Sequence, residues 1–431
     1  MLLTVEKLIY GGDGLARLPA DEQGRGKAVF VPFVLEGEKI EATVLEEKRG
    51  FARAHVNQIV QPSPHRVEPR CPYFQSCGGC HYQHVHYEHQ LEIKAAILKE
   101  NLRRIAKLEL DADPVIHPSP PWNYRNRTRL KLQFEPDFAL GYYKFNSHDL
   151  LPVEQCPISS PLINRAIAAL WQAGHAGNLS QQIQEIELFA NAEDDQVLVE
   201  IYCDPEIPEE TAARLAEAVQ ATLPQAVGVV IFRRDSRSQT AEPERLANVG
   251  ALELTYHTHH SSLRVSAGAF FQANRYLTSE LVDIVVKNQS GNMAFDLYAG
   301  VGLFSAALAK SFAQVIAVES SPTSYSDLFY NAQSNVRAVH ATTDQFLQNR
   351  ARKLRPDLVV VDPPRAGLGE VVVRSLGMLG ARQVTYVSCD PATLSRDLAG
   401  LLSAGYRIRQ AHVVDLFPQT YHVESVFQLT L

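Results

Sequence analysis

The stretch VTYVSCDPATLSRDL, residues 384–398, ends an apolar strand in Ser388-Cys389-Asp390-Pro391 and passes at once into a helix. A thiol at such a handover stands where open α/β sheets keep their reactive groups. Nucleophilic addition is the chemistry a thiolate offers there, although a free cysteine just as often fills space in a core. Two carboxylates belong to the same picture: Asp362, in VVVDPPRAGL, ends the preceding strand, and Glu424, in TYHVESV, opens the last one. If that last strand runs antiparallel beside the Cys389 strand, its beginning meets their ends. Three reactive side chains then converge on one rim.

A cofactor pattern lies upstream. Asp296-Leu297-Tyr298-Ala299-Gly300-Val301-Gly302 joins a strand to a helix, and glycines there admit a ligand close to the backbone. Glu319 ends the next strand, at the spacing of an acid that bonds ribose hydroxyls. Asp344 follows the third strand, where it can meet an adenine amine. Ser305 occupies the place of the third glycine of a dinucleotide fingerprint, so S-adenosylmethionine is expected rather than NAD.

Four further cysteines form a third group: Cys71, Cys77 and Cys80, spaced C-x5-C-x2-C, and Cys156 downstream. Spacing alone admits zinc or an iron–sulfur cluster. His81, His84, His86 and His89 stand close by, but four thiolates already close a site, so these histidines are expected at the surface or facing RNA. Cys203, in VEIYCDP, reads as core filling. In NYRNRTRLKLQF (123–134), Arg125, Arg127, Arg129 and Lys131 alternate with no acid among them. They would share one face of a strand as a phosphate-binding strip, and a merely solvated face would look the same.

The elements that must position these groups follow from length and pattern. A chain of 431 residues exceeds one hydrophobic core, so several domains are expected. A net charge of −7 argues against a generally basic nucleic-acid binder but leaves room for a local basic face. No apolar run approaches the roughly 20 residues of a membrane span, and MLLTVEKLIYGG does not read as a secretory leader. The expectation is a cytoplasmic protein with reduced cysteines, no membrane contact and no obligate protein partner, working as a monomer.

Residues 1–60 read as short strands broken by glycine turns, a small OB-like barrel of a kind that commonly binds single-stranded nucleic acid. Residues 61–265 hold the cysteine group, a helix from about 86 to 106, a loop at PVIHPSPPWNY and then an α+β mixture. Residues 266–431 alternate strand and helix and close with a hairpin, YRIRQAHVVDLF with HVESVFQLTL. A parallel sheet finished in this way is the Rossmann-like plan of S-adenosylmethionine-dependent methyltransferases.

VSCDPATLSRDL, DPPRAGL, FFQANRYL (270–277), DLYAGVGLFS and FPQTYHVESV together resemble the RNA (uracil-5-)-methyltransferase family over nearly the whole chain. GGDGLARL with AVFVPFVLEGE is similar to that family's N-terminal TRAM barrel. The resemblance implies 5-methyluridine formation in tRNA or 23S rRNA, with Cys389 as nucleophile and Glu424 as base. It implies Gln272, Tyr298, Glu319 and Asp362 around S-adenosylmethionine, with Asp344 added on position. It also implies a structural [4Fe–4S] cluster on Cys71, Cys77, Cys80 and Cys156, and the subgroup carrying that cluster leans towards 23S rRNA.

The chemistry fits the residues. A thiolate adding to C6 of uracil makes C5 nucleophilic, and a base must then remove the C5 proton. The target base must leave its stack for that attack. The helix starting at Pro391 is expected to favour thiolate at Cys389, with Asp390 opposing it. An amino-methyltransferase and a non-catalytic RNA-binding or iron–sulfur protein are the competing readings. The first needs no nucleophile, and the second leaves Cys389 and Glu424 without a use.

Overall fold

The computed structural model describes residues 1–19, 26–233, 243–351 and 353–431. Leu2–Leu8, Asp13–Arg17, Ala28–Pro32, Lys39–Glu47 and Phe51–Gln61 close into a five-stranded barrel. Burial alternates along each strand, so Leu3, Val5, Val29, Val31 and Ile40 fill the interior as period-two patterning requires.

The central sheet has seven strands. Arg127–Gln133 lies between Ala139–Tyr143 and Ile183–Ala190, and Val197–Cys203 follows Ile183–Ala190 in the sheet order. Pro161–His175 and Glu209–Thr222 cover one face of the sheet. On the other face Phe189, Tyr202 and Phe232 share a core with the C-terminal sheet and its helices. Cys203 is fully buried, as core filling predicts.

The C-terminal sheet has eight strands in the order Val336–His340, Phe312–Glu319, Gly291–Leu297, Leu358–Val361, Gln383–Ser388, Glu424–Thr430, Arg407–Val414 and Val115–His117. Glu424–Thr430 is antiparallel to both neighbours, and the other pairings are parallel. The strand–helix alternation and closing hairpin are present as expected.

The stretch PVIHPSPPWNY differs from its expectation as loop. Val115–His117 forms a short strand and pairs with Arg407–Val414 at the edge of the C-terminal sheet. The expected helix is α-helical over Tyr87–Asn101 and widens into a π turn over Leu102–Ala106. Its residues Ile93, Ile97 and Leu98 join the core of the C-terminal sheet, not that of the central one. Residues between about 80 and 117 therefore pack with the C-terminal domain, across the boundary drawn at 266.

A buried ion pair fastens that helix. Lys94 Nζ lies 2.6 Å from Asp415 Oδ1, both side chains being fully buried, and it donates to the Phe417 carbonyl at 2.9 Å. Gln90 donates to Gln419 Oε1 at 3.0 Å and accepts from the Gln419 amide at 2.9 Å. The loop of residues 415–423, which delivers Glu424, is thus held by a helix some 320 residues earlier.

Candidate active site

Strand register brings the three reactive groups together. Ser388 pairs with Ser425, so one step further sets Cys389 opposite Glu424 at the carboxyl edge of the sheet. Asp362 leaves the end of Leu358–Val361, with its amide bonded to the Leu297 carbonyl at 3.4 Å. The convergence drawn from the sequence is present in the fold.

The electrostatics of this rim hold its protons tightly. Burial, then Glu424 and Asp362, push the Cys389 thiol up to about 12, against the opposing pull of Arg365. Burial and the Asp296 charge raise Asp362 to about 7. Glu424, 6% exposed, is pushed well above the carboxylate range by burial first and Asp362 second. Among the described residues the carboxyls of Glu424, Asp362 and Asp390 surround the Cys389 thiol against the one opposing cation Arg365, an imbalance that holds the Cys389 and Glu424 protons in place.

The helix start does not serve the thiol directly. Asp390 is the N-cap of Pro391–Ser403, and its carboxylate accepts from the Ala392 and Thr393 amides at 3.0 and 2.8 Å. Those amides are spent on Asp390, so the expected dipole benefit at Cys389 is consumed locally.

The cofactor-side residues line the same edge. Tyr298 adopts φ 63°, a left-handed conformation costing roughly 1–3 kcal/mol in a non-glycine residue. Its hydroxyl, pushed up by burial, lies near Thr343 and Asp344 in the first turn of Thr343–Asn349. Glu319 ends its strand with Oε2 accepting from the Gly300 amide at 2.8 Å and Oε1 from Ser321 at 2.7 Å. Gly302, at φ 96°, lies so close to Leu328 that a Cβ would come within 3.0 Å of its side chain. Gln272 is half-buried in the loop before Thr278–Val286, and Asn274 of that loop bonds the Leu416 carbonyl at 3.0 Å. Tyr298, Glu319 and Asp362 thus end adjacent strands, with Asp344 in the first turn of the helix after the outer strand.

Several residues at the mouth were not assigned from sequence. Arg365 sits 3.4 Å from the His422 ring, and Thr393 donates to its carbonyl at 3.0 Å. Burial first, then Arg365, push His422 down to about 3, so that ring is neutral. Tyr421 packs edge-on against Tyr10 of the barrel and against His81. Arg365 and His422 lay inside the quoted motifs DPPRAGL and TYHVESV, but the barrel's approach left no local signal.

Cys71, Cys77, Cys80 and Cys156 are free thiols around one cavity of about 530 Å³, which Gln83, Arg125 and Tyr142 also line. The Gly79 amide points to Cys77 Sγ at 3.4 Å. Among the described residues no three His, Cys, Asp or Glu side chains gather tightly enough to hold a single metal ion. His84 is buried beneath the barrel rim and pushed down to about 3 by burial, and His81 to about 4. His84 is packed inside, contrary to a surface placement, while His81 is half-buried and His86 is exposed.

The basic strip requires correction. Arg127, Arg129 and Lys131 do share one face, but neighbouring strands set carboxylates against all three. Arg127 pairs with Glu187 and with Glu200 at 3.2 Å. Arg129 Nε donates to Glu187 at 2.6 Å, and Lys131 pairs with Glu185. Burial alone would raise Glu187, yet the two guanidiniums outweigh it and hold the carboxyl below its usual range. Arg125 turns towards the cysteine cavity. The strip is an internal ion-pair ladder, not a bare cationic face.

A parallel sheet with an inserted antiparallel strand, reactive groups at its carboxyl edge and a barrel at the mouth define an RNA methyltransferase of the Rossmann-like class. The chain belongs to the tRNA (uracil-5-)-methyltransferase family, whose model matches residues 86–430, with a TRAM domain matching residues 1–56. It is 33% identical to the 23S rRNA (uracil(1939)-C(5))-methyltransferase RlmD of Pectobacterium atrosepticum, over 99% of this chain and 92% of that one. An uncharacterized RNA methyltransferase of Aquifex aeolicus is 32% identical over 98% and 97% of the two chains. The crystal structure of Pyrococcus abyssi tRNA (uracil-54, C5)-methyltransferase with S-adenosyl-L-homocysteine shares the fold, with a TM-score of 0.77 over 100% of each chain at 23% identity.

Proposed function

We propose that this enzyme methylates C5 of a uridine in 23S rRNA through a covalent bond between Cys389 and C6 of the base. The observation that carries the mechanism is the register that sets Cys389 against Glu424, with Asp362 beside them. The relatives named as 23S rRNA enzymes, at 33% identity over nearly full length, favour that RNA over tRNA.

S-adenosylmethionine supplies an electrophilic methyl group on a sulfonium. Tyr298, Glu319, Asp344, Asp362 and Gln272 surround the edge where it would bind, with Glu319 suited to ribose hydroxyls. Cys389 loses its proton to solvent as the uracil enters, and its sulfur bonds C6, so that the C5=C6 electron pair moves onto C5 as part of an enolate. C5 takes the methyl group and still carries its hydrogen. Glu424, as carboxylate, removes that proton, and the returning electron pair breaks the C6–sulfur bond. The raised Glu424 suits this task, because a high proton affinity makes a stronger base once ionised.

We read the four cysteines as ligands of a [4Fe–4S] cluster. Four thiols lining one cavity match the donor set of such a cluster. The role of such a cluster would be structural, since methyl transfer to C5 needs no electrons. Anaerobically prepared protein is expected to hold about four irons, lost on substitution of Cys80. Stoichiometric zinc in that protein would refute the cluster.

Glu424→Gln tests the mechanism. It keeps the nucleophile and removes the proton acceptor, so a methylated RNA–protein adduct should accumulate and depend on Cys389. Cys389→Ala should give neither adduct nor product. Free turnover by Glu424→Gln with no trapped adduct would remove Glu424 from the mechanism. Mapping 5-methyluridine in RNA from a deletion strain identifies the target molecule.

A further inference from the structure

The barrel enters the active site at one residue. Tyr10 is half-buried at the turn between Leu2–Leu8 and Asp13–Arg17, where Gly11 and Gly12 take φ of 108° and 95°. Only glycine accepts such angles cheaply, and the sharp turn brings Gly12 against His81, where a Cβ would come within 3.1 Å of that side chain. The Tyr10 ring meets Tyr421 edge-on at 5.5 Å between centroids, and His81 meets Tyr421 at 4.6 Å. The His81 and Tyr82 amides both donate to the Gln419 carbonyl, at 2.8 and 2.9 Å. Barrel turn, cysteine loop and C-terminal loop therefore interlock.

At the end of this assembly the Tyr10 hydroxyl faces the Cys389 carbonyl oxygen at 3.4 Å. It also lies near the Asp390 carboxylate, whose charge helps burial push the hydroxyl up. Both groups belong to the turn that carries Cys389.

We propose that Tyr10 is a positioning residue for Cys389, its hydroxyl fixing the strand-to-helix turn and so aiming the thiol. The proposal rests on the reading of Cys389 as the nucleophile. It gives the barrel a part in chemistry beside any part in holding RNA. The hydroxyl has an electrostatic effect as well. Asp390 opposes ionisation of the neighbouring thiol, and the dipole of a hydroxyl near its carboxylate offsets part of that charge.

Tyr10→Phe in the full chain tests this, because it keeps the ring and its contact with Tyr421 while deleting the hydroxyl. The first readout is iodoacetamide capture of Cys389 across pH, followed on the Cys389 peptide by mass spectrometry. Capture is expected to slow by about three- to tenfold at a given pH, the size of one hydrogen bond, with its profile moved to higher pH. Single-turnover methylation is expected to fall by a similar factor, while RNA affinity and melting temperature stay at wild-type values. Equal or faster capture overturns the proposal. So does slower capture that tracks a loss of melting temperature and RNA affinity together, which marks a folding defect. Capture needs neither RNA nor methyl donor. If wild-type protein formed no 5-methyluridine, the proposed function would fail while the Tyr10 comparison still gave its answer.

Discussion

Two clusters of charge in this protein use the same residue types to opposite ends. On the central sheet, Arg127, Arg129 and Lys131 are met by Glu185, Glu187 and Glu200. At the carboxyl edge of the C-terminal sheet, Asp362, Glu424 and the Cys389 thiol share Arg365. In the ladder each charge has a partner, Glu187 is held below its usual carboxylate range, and the groups build structure. At the edge acids outnumber the cation, proton affinities rise, and the groups are left with protons to exchange. Matching, rather than the number of charged residues, separates scaffold from chemistry.

The largest test of this contrast is Arg365→Ala. Removing the one cation raises Cys389 and Glu424 further, so methylation should fall by about a hundredfold or more, as for loss of a preorganised charge. The melting temperature should hardly move, because Arg365 is exposed. A stability loss with normal turnover would show the edge to be another scaffold. Glu187→Gln is the reverse experiment. It strips a charged partner from Arg127 and Arg129, and roughly 2–3 kcal/mol of stability should be lost in denaturant unfolding. Activity per folded molecule should survive.

The pH dependence of that loss follows from direction. Glu187 is held below its unfolded range, so its stabilisation is present above the unfolded carboxylate value, about 4.3, and fades as acid protonates the folded group. Wild type and Glu187→Gln should therefore converge in stability at low pH. The smallest effect is expected at Lys131→Ala. A lysine already paired with Glu185 releases little counterion on meeting RNA, so the slope of log affinity against log salt should change by clearly less than the ~0.7–0.9 of a free phosphate contact. A full unit would restore the phosphate-binding reading of the strip.

The sequence carried much of the edge and little of the ladder, for a physical reason. Cys389, Asp362 and Glu424 were placed by a strand–helix rhythm and a closing hairpin, both local patterns whose pairing has few alternatives. The ladder depends on the register of Arg127–Gln133 against a strand some 60 residues on, and no local pattern announces that pairing. Val115–His117 was missed for the same cause. Three residues between Pro114 and Pro118 show no usable period, and their partner lies almost 300 residues away. Tyr10 has no signal of its own, since its meaning comes from the packing of the barrel turn against two distant loops.

The inserted strand Glu424–Thr430 has a consequence for the order in which the molecule becomes competent. Synthesis runs from the N-terminus, so the ribosome makes Gln383–Ser388 and Arg407–Val414 before the strand that separates and joins them. Until that strand arrives, each of the two keeps an unpaired edge in the middle of the future sheet, the kind of surface that chaperones recognise and aggregates exploit. Cys389 is therefore translated before Glu424, and completing the sheet and bringing these two side chains together are one event.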